Sequence, residues 1–323
     1  MKRYISILFL TLFLNGCDDG NLNVDTIDFD DAAVQSCTNG IIYKLNDNES
    51  MLLQMPEGSI IDEPTADPSK PLQYNINNST YKVIYRAYNG AVSTSNICDA
   101  IPPATPNVIE QWTATTGIIE IITTQNTTTN TTDNSTRITG YTHNIKFKNI
   151  IFSKPEGPQL YEIFDFGDYK TTVSSLNLNF QPSKANQCSS SKQLYNYTTS
   201  SSITIDNIDA DLIKNEVTPS GSPRTALISS TTNKLTYKTF TDGVLTESYF
   251  CNTTTPITPT VSQTWLGVDG VTNVSGIIEV ITETNGPNAF KHTITLKKVT
   301  LKKGNSSFKL GDSFAFGELN TTN

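Results

Sequence analysis

Apolar and polar residues alternate over short stretches of this chain, and no segment holds the three-to-four spacing of an amphipathic helix. The clearest stretch is GIIEIITT, residues 117–124, in which Ile119 and Ile121 share one face and Glu120 falls on the other between Ile118 and Ile122. That pattern predicts a strand with a buried apolar face and a charge on a partly solvated one. A second alternation, His143-Ile145-Phe147, changes parity at Ile150 and Phe152. A parity change in a period-two pattern predicts a bulge, or a strand that passes from one face to another. Asn89-Gly90 lies between apolar runs, the signature of a two-residue hairpin, and would pair residues 81–88 with 91–98. Pro103-Ala104-Thr105-Pro106 cannot continue a central strand and predicts a crossing loop.

The same pattern returns about 150 residues later. GIIEVITE at 276–283 answers GIIEIITT, Asp242-Gly243 answers Asn89-Gly90, and His292-Ile294-Leu296 followed by Val299 and Leu301 repeats the parity change. Cys37, Cys98, Trp112, His143 and Phe166-Gly167 have counterparts in Cys188, Cys251, Trp265, His292 and Phe316-Gly317, and the chain holds no other Trp or His. A period this long is a whole domain and not a solenoid repeat. The expected organisation is one β domain over 22–173 and a second over 174–323. Each would have seven or eight antiparallel strands, with Gly167 and Gly317 following a last aromatic strand. This is an all-β chain of two homologous domains, each a β-sandwich or a meander barrel, which periodicity alone does not separate.

The copies differ in two places. Before Gly276 the second inserts Gly267-Val268-Asp269-Gly270-Val271-Thr272, which marks a turn or bulge between the Trp strand and the GIIEV strand. After the equivalent strand the second copy has a tight Asn285-Gly286-Pro287-Asn288, whereas the first has a Thr/Asn tract over 125–136. That tract reads as a long surface loop, either a solvated tip or a glycosylated or ligand-contacting one.

Composition agrees with the pattern. About a quarter of the 323 residues are Thr or Asn, types that suit strands and turns. The formal net charge is −8, which argues against nucleic acid or anionic lipid as partners, because both need a basic footprint. Met1-Lys2-Arg3 and the apolar run that follows read as a secretory signal over 1–16, too short to span a bilayer. Leu14-Asn15-Gly16-Cys17 resembles the lipobox of bacterial lipoproteins. The resemblance implies cleavage before Cys17, lipid on Cys17 and a short tether over 17–21. With its repeats, the chain resembles exported lipoproteins of Gram-negative bacteria with tandem β domains. The expected place is the outer membrane, lipid-anchored, on the cell surface or the periplasmic face, with Asp18-Asp19 compatible with sorting signals of either kind. The four remaining cysteines would form one disulfide per copy, Cys37–Cys98 and Cys188–Cys251, in an oxidising compartment.

Candidate chemistry is sparse. His143 and His292 each end an apolar face, so each is either a core-edge histidine or, with Trp112 or Trp265 nearby, the mouth of a ligand pocket. One imidazole per copy without a Cys or acidic cluster is too little for zinc. Asp206, Asp209 and Asp211 lack the Gly and terminal Glu of a calcium loop. Arg86 and Lys238 stand at matching places between aromatics, where a cation contacts a glycan or an acidic partner or simply faces solvent. Glu120 and Glu279 are the carboxylates an enzyme would use, one per copy, whereas glycoside hydrolysis needs two close together. No phosphate loop, nucleophile elbow or zinc-protease motif is present, and no cofactor is expected. The first expectation is therefore a non-enzymatic, membrane-anchored module that binds a glycan or an envelope protein or plays a structural part. The alternatives are a carrier with a hydrophobic cavity per domain, and a glycan-active enzyme.

Overall fold

The alternating stretches form nineteen strands among residues 27–323, the part of the chain described by the computed structural model, with one short helix and two 3-10 turns. The expected signal over 1–16, lipidated Cys17 and tether over 17–21 lie outside these residues. All strand pairs are antiparallel.

The first half contains β1 (Gln35–Ser36), β2 (Ile42–Asn46), β3 (Glu49–Gln54), β4 (Leu72–Asn75), β5 (Lys82–Tyr88), helix α1 (Thr94–Cys98), β6 (Val108–Thr129), β7 (Thr136–Ser153) and β8 (Gln159–Thr172). They pair in the order β1-β2-β3-β5-β6-β7-β8, with β4 also on β6. Strand β6 serves two layers: Val108–Thr113 pair with β5, whereas Ile118–Ile121 pair with β4. Between them the register against β7 shifts and Gly117 takes φ +138°. A Cβ on Gly117 would also come within 2.9 Å of the Ile150 Cα, so dihedral and packing both require glycine there. On β7 the matching irregularity is Asn149, at φ +48°, and it produces the parity change between Phe147 and Ile150.

The second half repeats this topology with the long strands cut. It contains β9 (Asn186–Gln187), β10 (Leu194–Tyr197), β11 (Ser201–Asp206), β12 (Arg224–Leu227), β13 (Lys234–Thr241), β14 (Thr260–Gly267), β15 (Ile277–Thr284), β16 (Ala289–Lys297), β17 (Thr300–Lys303), β18 (Ser306–Lys309) and β19 (Ser313–Thr322). The insertion after Trp265 separates β14 from β15, and Lys298 at φ +48° separates β16 from β17. Two sheets result, β18-β17-β14-β13-β11-β10-β9 and β12-β15-β16-β19. Ile203, Ile205, Leu235, Tyr237, Trp265 and Leu301 from the first meet Ile278, Val280, Ile294, Leu296 and Phe316 from the second. Both sheets keep open edges, so the fold is a β-sandwich and not a closed barrel.

The buried members of the two main cores come from residues 27–166 and 178–319 respectively, with no residue common to both. Each fully buried Leu, Ile or Phe contributes roughly 1.5–3 kcal/mol. Cys37–Cys98 and Cys188–Cys251 are bonded as expected, over sequence separations of 61 and 63. Loops of that length give about 4 kcal/mol each by the loop-entropy argument.

Four expectations are corrected. Neither Asn89-Gly90 nor Asp242-Gly243 makes a hairpin between flanking strands, because β5 and β13 already have both edges occupied, by β3 and β6 and by β11 and β14. Residues 91–98 instead carry α1. The chain returns through a cis Thr105–Pro106 bond to close the loop base, where Asn89 N–H donates to Asn107 O at 3.0 Å. Gly167 and Gly317 sit inside β8 and β19, beside register shifts opposite Ile145 and Ile294, and the strands run on past them. Glu120 is only 9% exposed, since β4 and Lys148 cover it.

The Thr/Asn tract is the fourth. Strand β6 continues to Thr129 and β7 begins at Thr136, so only 130–135 is a turn. This arm reaches the second half and caps the free edge of β18. Ser307 N–H donates to Gln125 Oε1 at 3.0 Å, Lys309 N–H to Thr136 Oγ1 at 2.8 Å, and Asp312 N–H to Asp133 O at 2.7 Å. Polar side chains at these positions satisfy a strand edge that would otherwise stand open.

Candidate functional site

The two histidines lie in closely matched clusters. In the first half Thr65 and Thr123 exchange main-chain and side-chain hydrogen bonds, Thr65 N–H donating to Thr123 O and Thr123 N–H to Thr65 Oγ1, both at 2.9 Å. Thr123 Oγ1 lies 2.9 Å from His143 Nδ1, and His143 Nε2 lies 3.1 Å from Asp62 Oδ1. In the second half Thr218 and Thr282 make the same exchange, Thr282 Oγ1 lies 2.8 Å from His292 Nδ1, and Thr321 Oγ1 lies 2.8 Å from Nε2. Thr321 donates to Asn215 where Thr171 donates to Asp62, so Asn215 holds the Asp62 position. Arg224 donates to Thr282 Oγ1 at 2.9 Å, and its β12 position against Val280 matches that of Leu72 against Ile121.

Burial holds His143 below the ordinary imidazole value, with Asp62 acting in the opposite sense. Burial also lowers His292, and there the Arg224 guanidinium adds to the effect. A hydroxyl, an imidazole and a carboxylate in line have the outline of a nucleophilic triad. Thr123 and His143 are nevertheless both buried, and Thr123 Oγ1 is already committed to Nδ1. The first cluster ties the segment carrying Asp62 and Thr65 to β6, β7 and β8, and the second ties the segment carrying Asn215 and Thr218 to β15, β16 and β19. Trp112 and Trp265 are also buried, with Lys154 over the first ring at 4.0 Å and Lys303 over the second at 5.2 Å. Trp265 and Asp62 do share one small cavity, of about 180 Å³, between the halves.

The remaining candidates are local pairs. Glu120 accepts from Lys148 at 2.8 Å and Gln73 at 2.7 Å; burial works against its charge, but these donors leave its carboxyl below the usual range. Glu279 has Lys297 at 3.8 Å. Asp209 caps a 3-10 turn, Asp211 pairs with Lys214 and Asp206 accepts from Gln193. Among the described residues no group of three or more His, Cys, Asp or Glu side chains is placed to hold a metal ion.

The largest difference between the halves is on the outer face of the seven-stranded sheet. Here β11, β13, β14, the residues just before β10 and the chain around Cys251 line a groove of about 610 Å³. Its floor is a grid of short polar side chains: register places Ser202 opposite Lys238, Thr204 opposite Thr236, and Lys238 opposite Thr264. Ser202, Thr204 and Thr236 are 1%, 7% and 6% exposed, and their hydroxyls bond to no protein group. Every fully enclosed side-chain nitrogen and oxygen among the described residues has a partner, so these hydroxyls reach the groove. Tyr249 and Phe250 form a wall, held by the disulfide at Cys251 and by Phe250 stacked on Tyr195 at 4.3 Å.

In the first half the same face is sealed. Leu52 and Ile84 stand where Thr204 and Thr236 do, and they pack with Tyr43, Tyr88 and Ile97 of α1. Arg86, matching Lys238, donates to Gln111 at 2.8 Å. Of the groove residues Lys238, Asp206 and Cys251 stand out in the chain read alone, each for a different reason. The available signal for the others was the polar-for-apolar exchange between copies, Leu52 to Thr204 and Ile84 to Thr236. No family model matches the chain, and neither a curated protein nor a solved structure matches it.

Proposed function

We propose that the protein is a non-enzymatic binding module of the cell envelope, anchored through lipid on Cys17, that takes its ligand in the groove over β11, β13 and β14. The observation that carries this reading is the row of nearly buried hydroxyls without protein partners. These hydroxyls open onto the groove, where water or a ligand can meet them, and a sheet face does not need three of them where apolar residues would seal it, as they do in the first half. Two disulfides suit an oxidising, extracytoplasmic compartment. Filled interiors in both halves, with Phe147, Phe166, Trp265 and Phe316 at their centres, count against a hydrophobic carrier. The sealed histidine clusters count against catalysis. On this reading residues 22–173 form a spacer domain next to the anchor, residues 174–323 present the groove, and the anchor lies in the outer membrane.

The test is hydrogen exchange on the full chain in detergent, with and without an extract of envelope polymers. Protection confined to β11, β13 and β14 is the expected result, and its absence from that face would sink the reading. The anchor is tested separately: Cys17→Ser should move the protein from the membrane to the soluble fraction, and mass spectrometry should find acyl chains on Cys17 of the native protein.

A further inference from the structure

The floor of the groove has a chemistry that selects among ligand classes. Strands β11 and β13 each have a neighbour on both sides, so their main-chain groups are used within the sheet. A peptide therefore cannot bind there by adding a strand. Most of the lining is hydroxyl, amide and ammonium groups, and its aliphatic part is the single Leu266 side chain on β14, too little for an acyl chain. Rotatable hydroxyls, each both donor and acceptor, match a ligand that itself carries many hydroxyls. Tyr249 in the wall adds an aromatic ring with a polar tip, suited to the mixed faces of a sugar.

Charge narrows the class further. Lys234 and Lys238 line the groove and form no ion pair among the described residues, and Asp206, the one acid in the lining, already accepts from Gln193 at 2.5 Å. Residues 174–323 carry 12 basic and 11 acidic side chains, whereas residues 1–173 carry 11 and 20. The net charge of −8 therefore belongs to the first half, and the half with the groove is close to neutral with two free ammonium groups on its floor. A cation in a groove without an ion-pair partner favours an anionic group on the ligand.

We infer that the ligand is an acidic saccharide chain, its hydroxyl groups on Ser202, Thr204 and Thr236 and its anionic group on Lys238. The inference rests on the proposed groove and assigns its occupant.

The experiment is binding of the full chain in detergent to paired oligosaccharides, oligogalacturonates and sialylated glycans against their neutral counterparts. The acidic member of each pair should bind about ten-fold or more tightly, and the preference should weaken as salt is raised. Lys238→Gln should reduce binding of the acidic member by a similar factor without changing the melting temperature. Thr204→Leu with Thr236→Ile should abolish binding of both members. Equal binding of neutral and acidic members, or no effect of Lys238→Gln, would overturn the assignment of an anionic group. No saccharide binding, with an envelope extract still protecting the groove in hydrogen exchange, would overturn the saccharide and leave the groove. Loss of that protection too would remove both.

Discussion

The two halves share a topology, a disulfide and a histidine cluster, yet they treat one sheet face in opposite ways. The first half covers it with Leu52, Ile84 and Ile97 under α1; the second floors it with Ser202, Thr204 and Thr236 and leaves it open. The inner faces of the two sandwiches are both apolar and filled. Each half has its own buried core, so an outer face can lack an apolar cover without removing the core beneath it. The histidine clusters diverge in a coordinated way as well. Asp62 and Leu72 in the first half become Asn215 and Arg224 in the second, so the charge next to the imidazole changes sign while the hydroxyl framework stays the same.

The largest effect expected is loss of a disulfide. Cys188→Ser with Cys251→Ser should cost about 4 kcal/mol of stability, as should Cys37→Ser with Cys98→Ser. Only the first pair should also weaken ligand binding, because Cys251 holds the groove wall; equal effects on binding, measured beside thermal unfolding, would break the contrast. Next comes exchange of the sheet faces. Leu52→Thr with Ile84→Thr should destabilise the chain by roughly 2–4 kcal/mol, since apolar contacts are lost and hydroxyls are placed under α1. The reverse exchange, Thr204→Leu with Thr236→Ile, should leave denaturant stability within about 1 kcal/mol of the parent while closing the groove. A large loss there would mean that the hydroxyls serve the fold and not a ligand.

The histidine clusters offer smaller effects. Thr123→Val or Thr282→Val leaves an imidazole Nδ1 without its donor and should cost about 1–3 kcal/mol in chemical denaturation, similar in both halves. Both imidazoles are held low by burial, so as pH falls the unfolded chain takes up these protons before the folded one does. Their contribution to stability is present above about pH 6.5, declines below it, and levels off once the pH passes the folded-state values. Asp62→Asn removes the group that opposes burial at His143 and should lower its titration further, towards the behaviour of His292. Arg224→Leu should raise that of His292. Imidazole shifts followed by NMR measure both, and movement in the other direction would show that Asp62 and Arg224 do not act on the imidazoles in these senses.

Much of the fold was legible as face and spacing. The parity changes after Phe147 and Leu296, the glycine between the Trp strand and GIIEI, and the cysteine pairing all follow from alternation and from comparing the copies. The failures share a cause. Asn89-Gly90 is a sound local hairpin signal, but a strand offers only two edges, and β3 and β6 occupy those of β5. The Thr/Asn tract reads as a loop because its side chains are polar, and it is strand because Ser307, Lys309 and Asp312 of the other half need the hydrogen bonds it offers.

The sequence by itself determined an all-β chain, its duplication, its strand faces and its disulfides. Those are written in residue type and period, which depend on near neighbours. Only the tertiary structure decided which strand edges meet, where the Thr/Asn arm docks, and that one copy of a shared sheet face is sealed while the other is open. Each of those depends on groups far apart along the chain, from 28 residues for Gln54 against Lys82 to 182 for Gln125 against Ser307, competing for the same hydrogen bonds and the same apolar surface, and local alternation carries no record of that competition.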